Sequence, residues 1–187
     1  MTGLKAGEEI SYTVTFLEMT ARPSYPYPPM PTGGPTVLLA ADTPPARHFL
    51  NMYDTVGASH EWNDQHQKPV AEVTAFLHNP DVTMFTLMRT GWPAGFFILD
   101  ARRAQECDLA YFGLVPEALG LGLGKYLLNT AILMGWEMPD VQKMTLNTNS
   151  LDHPRALPLY QKAGFTPVRR EEHKRVLSRD RTQSEDV

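Results

Sequence analysis

Three glycines at alternate positions, Gly120, Gly122 and Gly124, followed by Lys125, lie between a strand-like run and a strongly helical one. Glycine lets a backbone approach a ligand closely and adopt angles closed to other residues. The first N–H groups of a helix have no intrahelical partner, so such a turn makes a cradle for phosphate. Spacing excludes two phosphate loops. A Walker A loop needs glycine five residues before its Gly-Lys pair and Ser or Thr after it, where this chain has Leu119 and Tyr126. The dinucleotide fingerprint needs a glycine three residues beyond its second, where the chain offers Lys125 or Leu127. Neither an NTPase nor a nicotinamide dehydrogenase is indicated.

Downstream runs a second block with chemical content, His153-Pro154-Arg155-Ala156-Leu157-Pro158-Leu159-Tyr160-Gln161-Lys162-Ala163-Gly164-Phe165. By periodicity alone Tyr160 is a core residue at helical spacing from Leu157 and Ala163. The two blocks together resemble the GNAT superfamily of N-acetyltransferases. Its acyl-CoA loop is Gln/Arg-x-x-Gly-x-Gly/Ala after a strand ending in Val-x-Pro. Here Leu114-Val115-Pro116 closes the strand, Gly122 and Gly124 supply the glycines, and Leu119 stands where Gln or Arg is usual. The second block resembles the family's Asn-x-x-Ala-x-x-Leu-Tyr-x-Lys-x-Gly-Phe segment, with His153 in place of Asn. The resemblance covers residues 82–165, and the first 80 residues match in outline.

The resemblance implies acetyl transfer from acetyl-CoA to a primary amine by direct attack in a ternary complex, with no metal. It places the pyrophosphate on the amides of residues 121–125, within a cofactor set of Leu119, Gly120, Leu121, Gly122, Leu123, Gly124, Lys125 and His153. It implies that a bulge splays the preceding strand, freeing backbone groups of Gly113, Leu114 and Val115 for pantetheine and one amide for the thioester oxygen. Tyr160 takes the place of the general acid that protonates the departing sulfur. Asp108, eleven residues before Leu119, takes the place of a strand carboxylate that some members use as base. A solvent-facing aspartate at the sheet edge is the alternative, and Glu106, Glu61, His60 and His66 are rival bases. Asp108 is expected to share a strand face with Ala110 and Phe112. A GNAT-fold module that senses acyl-CoA without turnover is the alternative function.

No residues form a metal-ligand set such as His-Glu-x-x-His or Cys-x-x-Cys. Trp62 and Tyr111, with the loop tyrosines Tyr25 and Tyr27, are candidates for an amphipathic substrate wall. The acceptor is expected to be a small-molecule or peptide amine, and mild acidity suits a cationic one such as a polyamine, a lysine side chain or an aminoglycoside.

These groups need elements to hold them. Alternation of Tyr12, Val14 and Phe16 predicts a strand from Ile10. Residues 22–35, rich in proline, predict a loop, either a stiff connection or a wall over the site. A second strand follows at 36–40, then a helix from Pro44-Pro45 to Gly57. A loop around Trp62 and a short helix at 70–77 precede three strands, 82–89, 94–99 and 106–115, whose short turns imply an antiparallel meander. Beyond the glycine turn come a helix ending before Pro139, a strand at 141–148, a helix from 152–154 to Gly164, and a last strand that residues 165–168 lead into and 174–177 complete. The predicted fold is α/β with a mixed sheet: an antiparallel meander, then a βαβ-type part, with helices on both faces.

At 187 residues the chain fits a single domain, 1–187, with tails at 1–9 and 178–187 expected to fray. Its net charge of −4 argues against nucleic-acid binding. The lone Cys107 reads as a small buried apolar residue. No run of apolar residues is long enough for a membrane span, so a cytoplasmic location is expected, and a homodimer remains open.

Overall fold

The computed structural model describes residues 4–181. In chain order its elements are β1 (Glu9–Met19), β2 (Thr36–Ala41), α1 (Ala46–Gly57), α2 (Val70–Leu77), β3 (Val82–Arg89), β4 (Trp92–Asp100), β5 (Glu106–Leu114), α3 (Leu123–Trp136), β6 (Lys143–Asn149), α4 (Ala156–Ala163) and β7 (Thr166–Val176). The strands form one seven-stranded sheet in the order β2-β3-β4-β5-β6-β1-β7. Every pairing is antiparallel except β5 with β6. The predicted mixed α/β architecture is therefore what forms.

Local chemistry explains the meander. Thr90 and Gly91 both have positive φ, 47° and 92°, the two-residue turn whose twist matches a hairpin. β4 sits mid-sheet and is covered on both faces, so Phe96, Phe97, Ile98 and Leu99 are all buried. An unbroken apolar run is what such a strand needs. On one face, Phe49 of α1 meets Phe96 and Tyr111, and Phe76 of α2 meets Tyr111. On the other, α3 approaches so closely that a Cβ on Gly135 would lie 2.4 Å from Met144 Cε and 3.3 Å from Cys107 Sγ. Cys107 is buried as expected, and burial pushes its thiol up to about 12, so it is inert.

The last strand is single, as expected, and pairs along β1 with one register shift opposite Phe16 and Leu17. Two expectations need correction. Residues 152–154 form a turn, and α4 begins at Ala156. Residues 4–9 and 178–181 do not fray: Leu4 bridges Arg181, Lys5 Nζ lies 2.9 Å from Asp180, and Gly7 donates to the Leu177 carbonyl. Positions 1–3 and 182–187 lie outside the described residues.

Candidate active site

The cleft starts from a failure of pairing. β5 joins β6 only at Glu106, Cys107 and Asp108, opposite Lys143, Met144 and Thr145, although β5 runs on to Leu114. Against β4, Ile98 pairs with Tyr111 but Leu99 pairs with Leu109, leaving Ala110 as an extra residue. That bulge bends the strand and separates it from β6. A cavity of about 810 Å³ opens there, lined by both strands, the glycine turn, α4 and the loop after α1.

The freed backbone can be assigned by alternation. Val115 donates its amide to the Ala94 carbonyl, and its own carbonyl accepts from Ala118. Its backbone is spent inside the fold and it is buried outside the cleft lining, which corrects its expected cofactor role. In an antiparallel ladder the hydrogen-bonding direction alternates, so Gly113 and Tyr111 also turn toward β4. Phe112 and Leu114 turn their amides and carbonyls into the opening. The residue that sequence reasoning missed here is Phe112, because the bulge that sets its direction leaves no residue signature. Asn147 and Asn149 of β6 also line the cleft and were missed.

At one end lies the N-terminus of α3. Gly120 and Gly122 have φ of 76° and 74°, a left-handed conformation suited to glycine. Gly122 caps the helix without any side-chain hydrogen bond, and no acid occupies the first turn. The amides of residues 122–125 are thus left bare, with the positive end of a 14-residue helix behind them. Hypothetical side chains at Gly120 and Gly122 would meet nothing within 4 Å, so the space above these amides is open. This donor set fits a diphosphate such as that of CoA. Leu119, Gly120, Gly122, Leu123 and Gly124 line the cleft; Leu121 and Lys125 do not. Leu119 is half exposed.

Tyr160 stands farther in, on α4. Its ring packs edge-on against Phe112 and Phe165, with centroids 6.1 and 6.4 Å away. Tyr160 lines the cleft, and its hydroxyl has no side-chain hydrogen-bond partner among the described residues. Burial, helped by the Asp152 carboxylate, raises its pKa, so it stays a protonated phenol. Gly164 closes the helix at φ 113°, which fixes the tyrosine's approach.

The Trp62 loop folds over the opposite end. Trp62 donates its indole N–H to Asp152 at 3.0 Å, and Asp152 also accepts from Thr148 and the Asn149 amide. Trp62 and Tyr111 come together as expected, centroids 6.0 Å apart, and Gln65 donates to the Tyr111 hydroxyl. Two histidines meet between the ends, with rings 6.3 Å apart. His60 Nδ1 lies 3.3 Å from the Leu151 carbonyl. A carbonyl only accepts, so Nδ1 carries the proton and Nε2 is bare in the neutral ring. Burial pulls His60 below its ordinary value, against the opposing influence of Asp152. His153 has the reverse tautomer: its Nδ1 accepts the Arg155 amide at 3.1 Å, which leaves Nε2–H as a donor.

Asp108 is not brought to this site. It is absent from the cleft lining and instead borders a small separate pocket with Asp100, Arg102 and Arg103. The extra residue at Ala110 switches side-chain parity, so Asp108 faces the side of Tyr111 and Gly113, opposite Phe112. Thr145 donates to it at 2.8 Å. Glu106 is tied to Arg103 and Lys143. His66 pairs with Asp54, and Glu61 is turned away from the cleft. The Pro-rich segment is a connection, because Tyr27 and Arg22 bind Glu137 just beyond the far end of α3. Neither Tyr25 nor Tyr27 lines the cleft. No group of three or more potential metal ligands occurs among the described residues, and no described helix is long and apolar enough to cross a membrane.

Comparison with known proteins bears on this geometry. No curated protein matches the chain in sequence. Among solved structures, the chain is similar to a GCN5-related N-acetyltransferase from Sphaerobacter thermophilus, with 15% identity and a TM-score of 0.59 over 92% of this chain and 52% of that one. It is similar to a GNAT-family protein from Novosphingobium aromaticivorans, with 14% identity and a TM-score of 0.55 over 87% and 63%. A spermidine N-acetyltransferase from Vibrio cholerae, solved with CoA and spermine, aligns at 18% identity and a TM-score of 0.55 over 70% and 80%. The chain thus spans 52% and 63% of the length of the first two relatives. At these identities the likeness is one of fold. The model of the acetyltransferase (GNAT) family matches residues 47–165, from α1 through the glycine turn to the end of α4; the chain belongs to that family.

Proposed function

We propose that the protein transfers an acetyl group from acetyl-CoA to a primary amine by direct attack in a ternary complex. The observation that carries this reading is one cleft that joins the bare amides of α3 to the Tyr160 phenol through the opening between β5 and β6. The amides of residues 122–125 and the Nε2–H of His153 would hold the phosphates, and the Phe112 and Leu114 backbone would hold pantetheine. When bound, acetyl-CoA supplies the acyl carbon that takes the amine and the sulfur that leaves. One of the Phe112 and Leu114 amides would donate to the oxygen on which negative charge develops, and the other would pair with pantetheine. Tyr160 gives its proton to the departing sulfur. His60, with Nε2 bare, takes the proton the amine sheds, and replaces Asp108 as the base.

Calorimetric titration with CoA, followed by a thiol-release assay over an amine panel, tests the proposal. CoA binding with turnover is expected. Absence of CoA binding would overturn it, and binding without turnover on every amine would indicate an acyl-CoA sensor instead. The half-exposed Leu119, at the position where a polar residue is usual, is the feature that favours that second reading.

A further inference from the structure

We propose that the acceptor half of the cleft takes a small monoamine with a flat, apolar body, and discriminates against polyamines. The proposal rests on the acetyltransferase reading and deepens it. Tyr53, Trp62 and Tyr111 line this half, with centroids 5.3, 5.8 and 6.0 Å apart. Its floor is tight: a Cβ on Gly113 would lie 2.2 Å from Val56 Cγ1, so α1 packs directly on the strand.

The charge inventory decides the substrate class. Among the described residues only two carboxylates line the cleft, Asp64 and Asp152, and each already has a hydrogen-bonding partner. Asp152 Oδ1 takes the Trp62 indole N–H, and Oδ2 takes the Thr148 hydroxyl at 2.7 Å and the Asn149 amide at 2.9 Å. Asp64 is paired at 2.8 Å with Arg175, whose guanidinium also donates to the Glu61 carbonyl. Glu61 is 1% exposed and does not line the cleft; its Oε2 accepts from Asn63 and Ser178, and its Oε1 is buried without a partner among the described residues. His60 is held toward its neutral form by burial.

An ammonium entering such a wall loses its water without gaining a free carboxylate. A polyamine meets that cost at every nitrogen. A monoamine meets it once, at the nitrogen that must be deprotonated in any case, and apolar surroundings lower the pKa of that nitrogen. Ring faces can attract a cation. Here, however, Tyr111 stands at 65° to Trp62 and 76° to Tyr53, so the rings pack edge-to-face on one another and together present an apolar wall against which a flat group can lie. Of the carboxylates behind the chain's net charge of −4, the two that line the cleft already have hydrogen-bonding partners.

The test uses the full chain with 2-phenylethylamine, butylamine and spermidine. Thiol release should give kcat/KM for 2-phenylethylamine at least about tenfold above spermidine, a difference of roughly 1.4 kcal/mol, with butylamine between them. Trp62→Ala should raise KM for 2-phenylethylamine while CoA affinity stays unchanged. Spermidine equal to or better than 2-phenylethylamine would overturn the proposal. Failure of CoA to bind would instead defeat the acetyltransferase reading, and direct calorimetric binding of the three amines to the protein alone would still decide this one by the same ranking.

Discussion

The two halves of β5 share one strand and behave oppositely. From Glu106 to Asp108 the strand is closed on β6, and its carboxylates are held by Arg103, Lys143 and Thr145. From Leu109 to Leu114 the partner is gone, no carboxylate occurs in the stretch, and backbone groups face a cleft. One inserted residue, Ala110, divides them. Carboxylates of β5 therefore do not mark this site. The closed half spends its charges on joining strands, while the open half works with backbone amides and with side chains from other elements.

If that division is right, the open half should carry the largest effects. Tyr160→Phe removes one hydroxyl and keeps the ring against Phe112 and Phe165. We expect kcat to fall by about 10²–10⁴, the range for a lost general acid, with CoA affinity unchanged by calorimetry. An unaltered kcat with chemistry rate-limiting would remove Tyr160 from its role. His60→Gln comes next, with kcat/KM down by about 10². In the wild type the activity should rise with pH through a limb below the ordinary histidine value, since His60 must be neutral and burial lowers its pKa. The variant should lack that limb, and a profile that keeps it assigns the limb to another group. Gly124→Val is gentler on the apo fold, because a Cβ there would meet only Leu114 Cδ1, at 3.7 Å. It should weaken CoA binding by about tenfold without lowering Tm, and normal affinity would contradict the cradle.

The open half was legible in sequence where residue type carries the physics. Glycine with positive φ is required at Gly120 and Gly122, and so the turn could be found by composition. Tyr160 could be found by the Leu-Tyr-x-Lys-x-Gly-Phe context, although its spacing alone matched a core residue. Phe112 and Val115 could not be sorted, because their roles depend on which way a backbone amide points. Asp108 was misread for a related reason. Period-2 counting assumes an unbroken ladder, and a bulge shifts every later side chain to the other face. His60 is one rival base among several in sequence, and the contact that favours it in the proposed reaction comes from the Leu151 carbonyl, 91 residues away.

The closed half supplies the smallest expected effect on activity and the sharpest contrast in stability. Asp108→Asn should leave kcat/KM unchanged, since the carboxyl lies outside the cleft. In the folded protein burial raises its pKa from 3.8 to about 6; Asp100 and Glu106 push the same way, while the Thr145 hydroxyl and Arg103 oppose. A group whose folded value lies above its unfolded value binds its proton more tightly in the native state. Its favourable contribution is complete below about pH 4 and is lost as the pH climbs through about 6. The full shift corresponds to roughly 3 kcal/mol. Asparagine can still accept the Thr145 hydroxyl and has no charge to desolvate. Thermal unfolding should therefore find the two proteins equal near pH 4, with the variant increasingly the more stable up to pH 7 and the gap constant above. A gap that does not change with pH would show that the buried carboxyl is never charged at a cost. A loss of activity with CoA affinity intact would show that chemistry crosses the bulge, and that the two halves of β5 are less separate than their pairing makes them.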